Sequence, residues 1–155
     1  MIPRRTLKLF GAVPDGLLAL CAPHGWEALT SAPAEGLRSI RDLLVHMVGA
    51  EQWWIQHVIE GRPPMRDRPE TFGDLDAIRR RWRPQRDATV AMAIALTEEE
   101  WRSPRPLPWD SRQTAGVDEI FWHVVTHEQY HRGQIFTRLA MLGQRDLPDL
   151  DLEPR

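Results

Sequence analysis

Among its 155 residues the chain has one cysteine, Cys21, which excludes a disulfide framework and any cysteine-based zinc finger. It also lacks an excess of positive charge. Twenty Lys and Arg against 22 Asp and Glu leave a net charge of −2, so a polybasic nucleic-acid surface is not expected. No run approaches the roughly 18 apolar residues of a membrane span. Arg4-Arg5 suggest a twin-arginine leader, but Lys8, Pro14 and Asp15 come too soon after it for an apolar stretch of roughly 7–15 residues to form. These absences lead to the expectation of a soluble, cytoplasmic protein with neither a membrane nor a nucleic-acid partner. What is present is a globular composition, 42% hydrophobic and 27% charged, suited to one domain over 1–155 with an acidic tail at 143–155.

Prolines and glycines divide the chain into four helical stretches, with no convincing strand pattern between them. The first runs from about Arg4 to Leu20, with Leu7, Phe10, Val13, Leu17 and Leu20 at helical spacing, and a loop comes next over Ala22–Leu37. The second opens at Ser39 as N-cap and ends at Gly61 before Pro63-Pro64. The third covers about Asp74 to Leu96, after which Thr97 and Glu100 have the spacing of a capping box. A proline-rich connection, Ser103–Pro108, leads to the fourth, from about Thr114 to Gly143. Four amphipathic segments with long connections between the first and second and between the third and fourth define an all-α four-helix bundle. Five arginines around Trp82, between Arg79 and Arg86, read as a solvated helix face with Asp76 pairing Arg80.

Six histidines are present, and His123, His127 and His131 succeed one another at i+4 spacing in the last helix, where neighbours share a face and can chelate one ion. Imidazole pairs suit zinc, nickel, copper and iron. At about 100° per residue, His131 lies roughly 50° from the centre of the apolar face, His127 roughly 90° and His123 roughly 130°. The inner pair is therefore His127 and His131, with His123 behind the ligands or at the surface. In the second helix His46 and His57 fall on nearly the same face, and periodicity does not choose between them. Glu128 and Glu51 project near the middle of apolar faces, where glutamate needs a partner. Either each lies at a bundle end or pairs with an arginine, or they orient ligand histidines or serve as an acid/base pair near a metal.

His127-Glu128-Gln129-Tyr130-His131 also spells H-E-x-x-H, the zinc-protease signature. Its extended form wants Gly and His where this chain has Gln134 and Thr137, and Glu153 is the one downstream glutamate to offer as a third ligand. A di-iron carboxylate bundle needs Glu-x-x-His twice, and only Glu128–His131 supplies it.

The run His127-Glu-Gln-Tyr-His-Arg-Gly-Gln-Ile135, together with Ser39-x-x-x-Leu43-x-x-His46-x-x-x-x-Glu51, resembles the DinB/YfiT-like family over nearly the whole chain. The resemblance implies a four-helix bundle, often dimeric, with a divalent metal (zinc or nickel) held by His46, His127 and His131. His57 and His24 are then incidental. Relatives include thiol-dependent S-transferases and a thiol-dependent maleylpyruvate isomerase. The resemblance therefore implies a metal-activated low-molecular-weight thiol, such as bacillithiol or mycothiol, or a water, attacking a small-molecule electrophile. Glu128 and Arg132 would stand behind the ligands as candidate catalytic residues, and Trp53, Trp54 or Trp109 would wall the pocket. The competing expectation is a metal-binding stress-response protein whose bundle serves dimerisation without turnover. Three histidines on one ion leave positions open, which favours a catalytic site.

Overall fold

A computed structural model describes residues 2–148. The first long helix, α1 (Arg4–Cys21), runs through Pro14, and the loop behind it contains a short helix, α2 (Trp26–Thr30). Helix α3 (Ile40–Glu51) begins at Ser39, whose hydroxyl accepts from the Asp42 amide at 3.1 Å. It then continues without interruption as a π-helical segment, Gln52–Ile59. There the amide of Glu60 donates to the Ile55 carbonyl, and Gly61, at φ +71°, ends the run. Helix α4 (Leu75–Ala95) is capped by Asp74, whose carboxylate accepts from the Ala77 amide at 2.6 Å. The short α5 (Glu98–Arg102) carries the capping box formed by Thr97 and Glu100. The last helix, α6 (Val117–Met141), is the longest. The acidic tail expected at 143–155 falls partly outside the described residues, as does Glu153.

Two expectations need correction. The proline-rich connection is a β-hairpin: β1 (Pro104–Leu107) pairs antiparallel with β2 (Asp110–Gly116). Its prolines and largely exposed residues hide the alternation by which a half-buried strand is recognised. Arg105 fastens it to the bundle by donating to the Ile59 carbonyl at 3.1 Å, which carries Trp109 to the hairpin tip. The arginine segment of α4 is also not uniformly solvated. Arg79, rather than Arg80, pairs with Asp76, Arg83 pairs with Asp15 and Asp87, and Arg86 is wholly buried.

Each long helix touches two others, in the ring α1–α4–α3–α6–α1, so the four enclose one interior. Two apolar clusters fill it. One gathers Leu44, Val48, Ile78, Trp82, Ile135 and Leu139. The other gathers Phe10, Ile55, Trp101, Val117, Ile120 and Phe121. Arg86 links them, its guanidinium 3.6 Å from the Phe10 ring centroid and 5.5 Å from that of Trp82. Its hydrogen bonds reach the other three long helices: the Phe10 carbonyl on α1, Glu51 on α3 at 3.0–3.2 Å, and Glu128 on α6. Glu51 also accepts from Trp82 Nε1 at 2.9 Å and from the Thr89 hydroxyl at 2.7 Å.

Arg86→Ala would strand two buried carboxylates, and removing one side of a buried pair costs about 3–5 kcal/mol. Denaturant unfolding should show a loss of this size, partly recovered when Glu51→Gln and Glu128→Gln are added to Arg86→Met. A loss no larger than that of an ordinary surface substitution would refute the assigned role.

Candidate metal centre

Helix α3 packs along α6, and their contact determines which histidines meet. His46 comes from α3, and His127 and His131 from adjacent turns of α6. His127 Nε2 lies 3.1 Å from His46 Nε2 and 3.1 Å from His131 Nε2, and one ligand atom from each of the three falls within 4.8 Å of the others. His131 is buried, and the other two are half-buried.

The proton inventory of this cluster decides what it can hold. His131 Nδ1 lies 2.8 Å from Gln134 Oε1, an acceptor, so Nδ1 carries the proton and Nε2 presents its lone pair inward. Three Nε2 atoms then converge, with His127 Nε2 3.1 Å from each of the other two. A cation satisfies such a set. Nitrogens about 2.0–2.1 Å from one tetrahedral zinc lie about 3.3 Å apart, close to the two 3.1 Å separations from His127 Nε2. Burial first, then the charges of Arg38 and His131, lower the His46 pKa to about 4. Burial, then His131 and His46, takes that of His127 to about 4 as well. Both rings are therefore neutral at pH 7 and need shed no proton to bind a metal. The donor set fits a borderline divalent ion, and three protein ligands leave coordination positions free.

A cleft of about 970 Å³ opens over His46 and His127, with Trp53, Trp54 and His123 in its lining. Trp53 and Trp54 sit at the start of the π-helical segment, and π-helical turns are frequent at functional sites. Trp54 meets His123 edge-on at 4.8 Å between ring centroids and Trp109 at 5.9 Å, and Trp109 itself is exposed at the hairpin tip. The His123 ring is 5.9 Å from that of His127. His57 faces elsewhere: it packs on Trp53 at 4.6 Å and its Nδ1 donates to the Arg62 carbonyl at 2.8 Å. His24 is occupied by Gln144 at 2.7 Å.

Glu51 and Glu128 both turn to Arg86, and among the described residues neither carboxylate is hydrogen-bonded to a histidine. Of the open alternatives, arginine pairing is what the structure shows. Arg132 lies outside the cleft lining, with NH1 donating to Gln129 at 3.2 Å and its guanidinium 5.9 Å from the Phe136 ring. Sequence reasoning missed Gln134, whose signal is its i+3 position from His131. It also missed Arg86, which continues the Ile78, Trp82 stripe by one more i+4 step.

Three convergent imidazoles beside an aromatic-walled cleft define a four-helix bundle with a candidate metal site. The sequence profile of the DinB family matches residues 10–151, and the chain belongs to that family. A DinB-like protein of Bacillus subtilis, YjoA, superposes with a TM-score of 0.74 at 19% identity, over 96% of this chain and 99% of that one. YfiT of Bacillus subtilis, described as a probable metal-dependent hydrolase with an unusual four-helix bundle topology, superposes with a TM-score of 0.69 at 13% identity, over 90% and 86%. No curated protein matches the chain.

Gln134→Leu should weaken metal binding by about 10–100-fold, the usual cost of losing a partner that orients a ligand, while leaving the melting temperature of the metal-free protein nearly unchanged. Titration with zinc and thermal melts would check both. In addition, the folded state resists protonating His46 and His127 until about pH 4, whereas the unfolded chain accepts protons near 6.5. The unfolded state therefore binds more protons between those values, and the metal-free protein should lose stability as pH falls from about 6.5 toward 4. Thermal melts across that window that stay flat would contradict the lowered values.

Proposed function

We propose that this chain is a metal-dependent enzyme of small-molecule chemistry. His46, His127 and His131 would hold a divalent ion, zinc or nickel, at the floor of the cleft. The observation that carries this is the convergence of three imidazole Nε2 atoms, two of them (on His46 and His127) from residues that line an open cleft. When bound, such an ion supplies a lowered pKa for a coordinated water or thiol and polarises a carbonyl.

The chain's own groups have separate duties. Trp53 and Trp54 exclude water from one wall and offer flat apolar surface to a small electrophile. Glu128, held by Arg86, fixes the turn of α6 from which both ligand histidines project. Arg132, outside the cleft lining, would act through its charge beside Glu128, not by touching substrate. A protein thiol does not take part: Cys21 is buried, and burial pushes its pKa to about 12. A thiol nucleophile would therefore arrive as a low-molecular-weight co-substrate. The likeness to YfiT, a probable metal-dependent hydrolase, supports water as the other nucleophile.

The setting we propose is the cytoplasm, with a role in stress response. Among the described residues no helix is long and apolar enough to cross a membrane. Assembly as a homodimer is supported by the exposed Trp122, Tyr130 and Met141 along one side of α6.

His127→Ala and His131→Ala should each weaken zinc binding by more than the 10–100-fold typical of an orienting residue. Each should also abolish zinc-dependent conjugation of a thiol to a test electrophile and zinc-dependent ester hydrolysis. Turnover that persists after the metal is lost would overturn the catalytic assignment. A full metal complement with no turnover by thiol or water would leave a metal-binding protein without catalysis.

A further inference from the structure

The charges that line the cleft do not balance. Three acids and three bases border it: Asp42, Asp67 and Glu70 against Arg38, Arg66 and Arg68. Two of the acids are neutralised by arginines outside the lining. Arg41 holds Asp42 through Nε at 3.0 Å and NH2 at 2.9 Å. Arg81 pairs with Asp67, its Nε donating to Oδ1 at 3.1 Å and its NH2 lying 2.9 Å from Oδ2. Arg38, Arg66, Arg68 and Glu70 form no ion pair among the described residues, so the cleft faces its contents with surplus positive charge before any cation is added.

The segment that carries Arg66 and Arg68 is also fixed. Gln52 is buried beneath it, accepting from the Met65 amide at 3.2 Å and donating to the Pro63 carbonyl at 3.4 Å. The Arg68 carbonyl receives both the amide and the hydroxyl of Thr71, at 3.0 and 2.8 Å. With Asp67 tied to α4 between them, the two arginines stand on a backbone anchored before, between and after. An exposed arginine on a free loop is ordinary solvation. Two on a pinned segment, joined by Arg38 across a concave, tryptophan-walled hollow, form an arrangement prepared for an anion.

We propose that the cleft selects substrates carrying an anionic oxyacid group, a carboxylate or a phosphate. Arg66 and Arg68, with Arg38, would hold this group while an apolar portion lies against Trp53 and Trp54. This reading rests on the cleft above the three histidines being the substrate site. It adds a handle that orients the reacting end toward them. Guanidinium forks suit both oxyacids, and a probe of each kind separates the two.

The test uses metal-free full-length protein, so that an anion cannot simply ligate the metal. Binding is followed by tryptophan fluorescence and calorimetry with benzoate, phenyl phosphate and uncharged benzamide. At least one anion should bind about ten-fold or more tightly than benzamide, as expected for one or two charge-assisted contacts. Added salt should weaken it. Arg66→Gln combined with Arg68→Gln should remove that advantage, leaving benzamide binding and zinc affinity unchanged. Preference for benzoate would assign a carboxylate, and preference for phenyl phosphate a phosphate. Anions that bind no better than benzamide, or an advantage that survives the double substitution, would overturn the proposal. Zinc titration of the same samples separates this from the metal assignment. His127→Ala should lose zinc yet keep the anion preference, and wild-type protein that binds anions but not zinc would sink the metal centre alone.

Discussion

Among the described residues, the guanidinium of Arg86 ties all four long helices together. It arises from α4, bonds the Phe10 carbonyl of α1, and meets Glu51 of α3 and Glu128 of α6. Two carboxylates and one guanidinium without solvent leave an excess negative charge. Burial accordingly pushes the Glu128 carboxyl up, against the pull of Arg86. The arrangement is tolerable because Trp82 and Thr89 add donors to Glu51. Against an apolar interior of the same volume such a group adds little net stability, because desolvation offsets the attraction. An apolar interior would allow the helices to rotate, whereas a fork with named partners on three neighbours admits one rotation of each.

That rotation is what makes the site. Glu128 sits between His127 and His131, and on a helix its direction determines theirs. With Glu128 turned to Arg86 inside the bundle, His127 faces the cleft and His131 lies half a stripe away, its Nδ1 held by Gln134. On α3 the corresponding coupling is Glu51 with His46, five residues apart. Immediately after Glu51 the helix changes to π winding, which uses about one more residue per turn. Its tryptophans thus enter the cleft wall while His57 goes to the Arg62 carbonyl. The π segment therefore separates two histidines that an unbroken α-helix would have stacked on one side.

These couplings explain what could be read from the sequence. The helices were legible because their apolar stripes are long, and Ser39, Asp74 and Thr97 announce where helices start. His127 and His131 were legible as an i+4 pair on a semi-apolar face. The choice of His46 over His57 was not, because period alone places both together and the π turn leaves no simple signature. Arg86 was hidden by its company: five arginines near a surface aspartate look solvated, and burial shows only when Arg86 is placed one turn beyond Trp82. The hairpin was hidden for the opposite reason. It buries little, so it imposes little pattern.

The same geometry decides between two meanings of His-Glu-x-x-His. In a zinc protease the glutamate of that motif must reach a water on the metal as general base. Here the carboxylate of Glu128 is buried, engaged by Arg86 and outside the cleft lining. Freeing it would require breaking a buried ion pair, a cost comparable to a large part of a domain's stability. The histidines keep their chelating spacing while the intervening glutamate has become a structural anchor. In the proposed chemistry, proton transfer would fall to groups that face the cleft or to the bound molecules themselves. That requirement would favour nucleophiles whose pKa a metal alone can lower far enough, a thiol or a water, acting on electrophiles that need little further acid assistance.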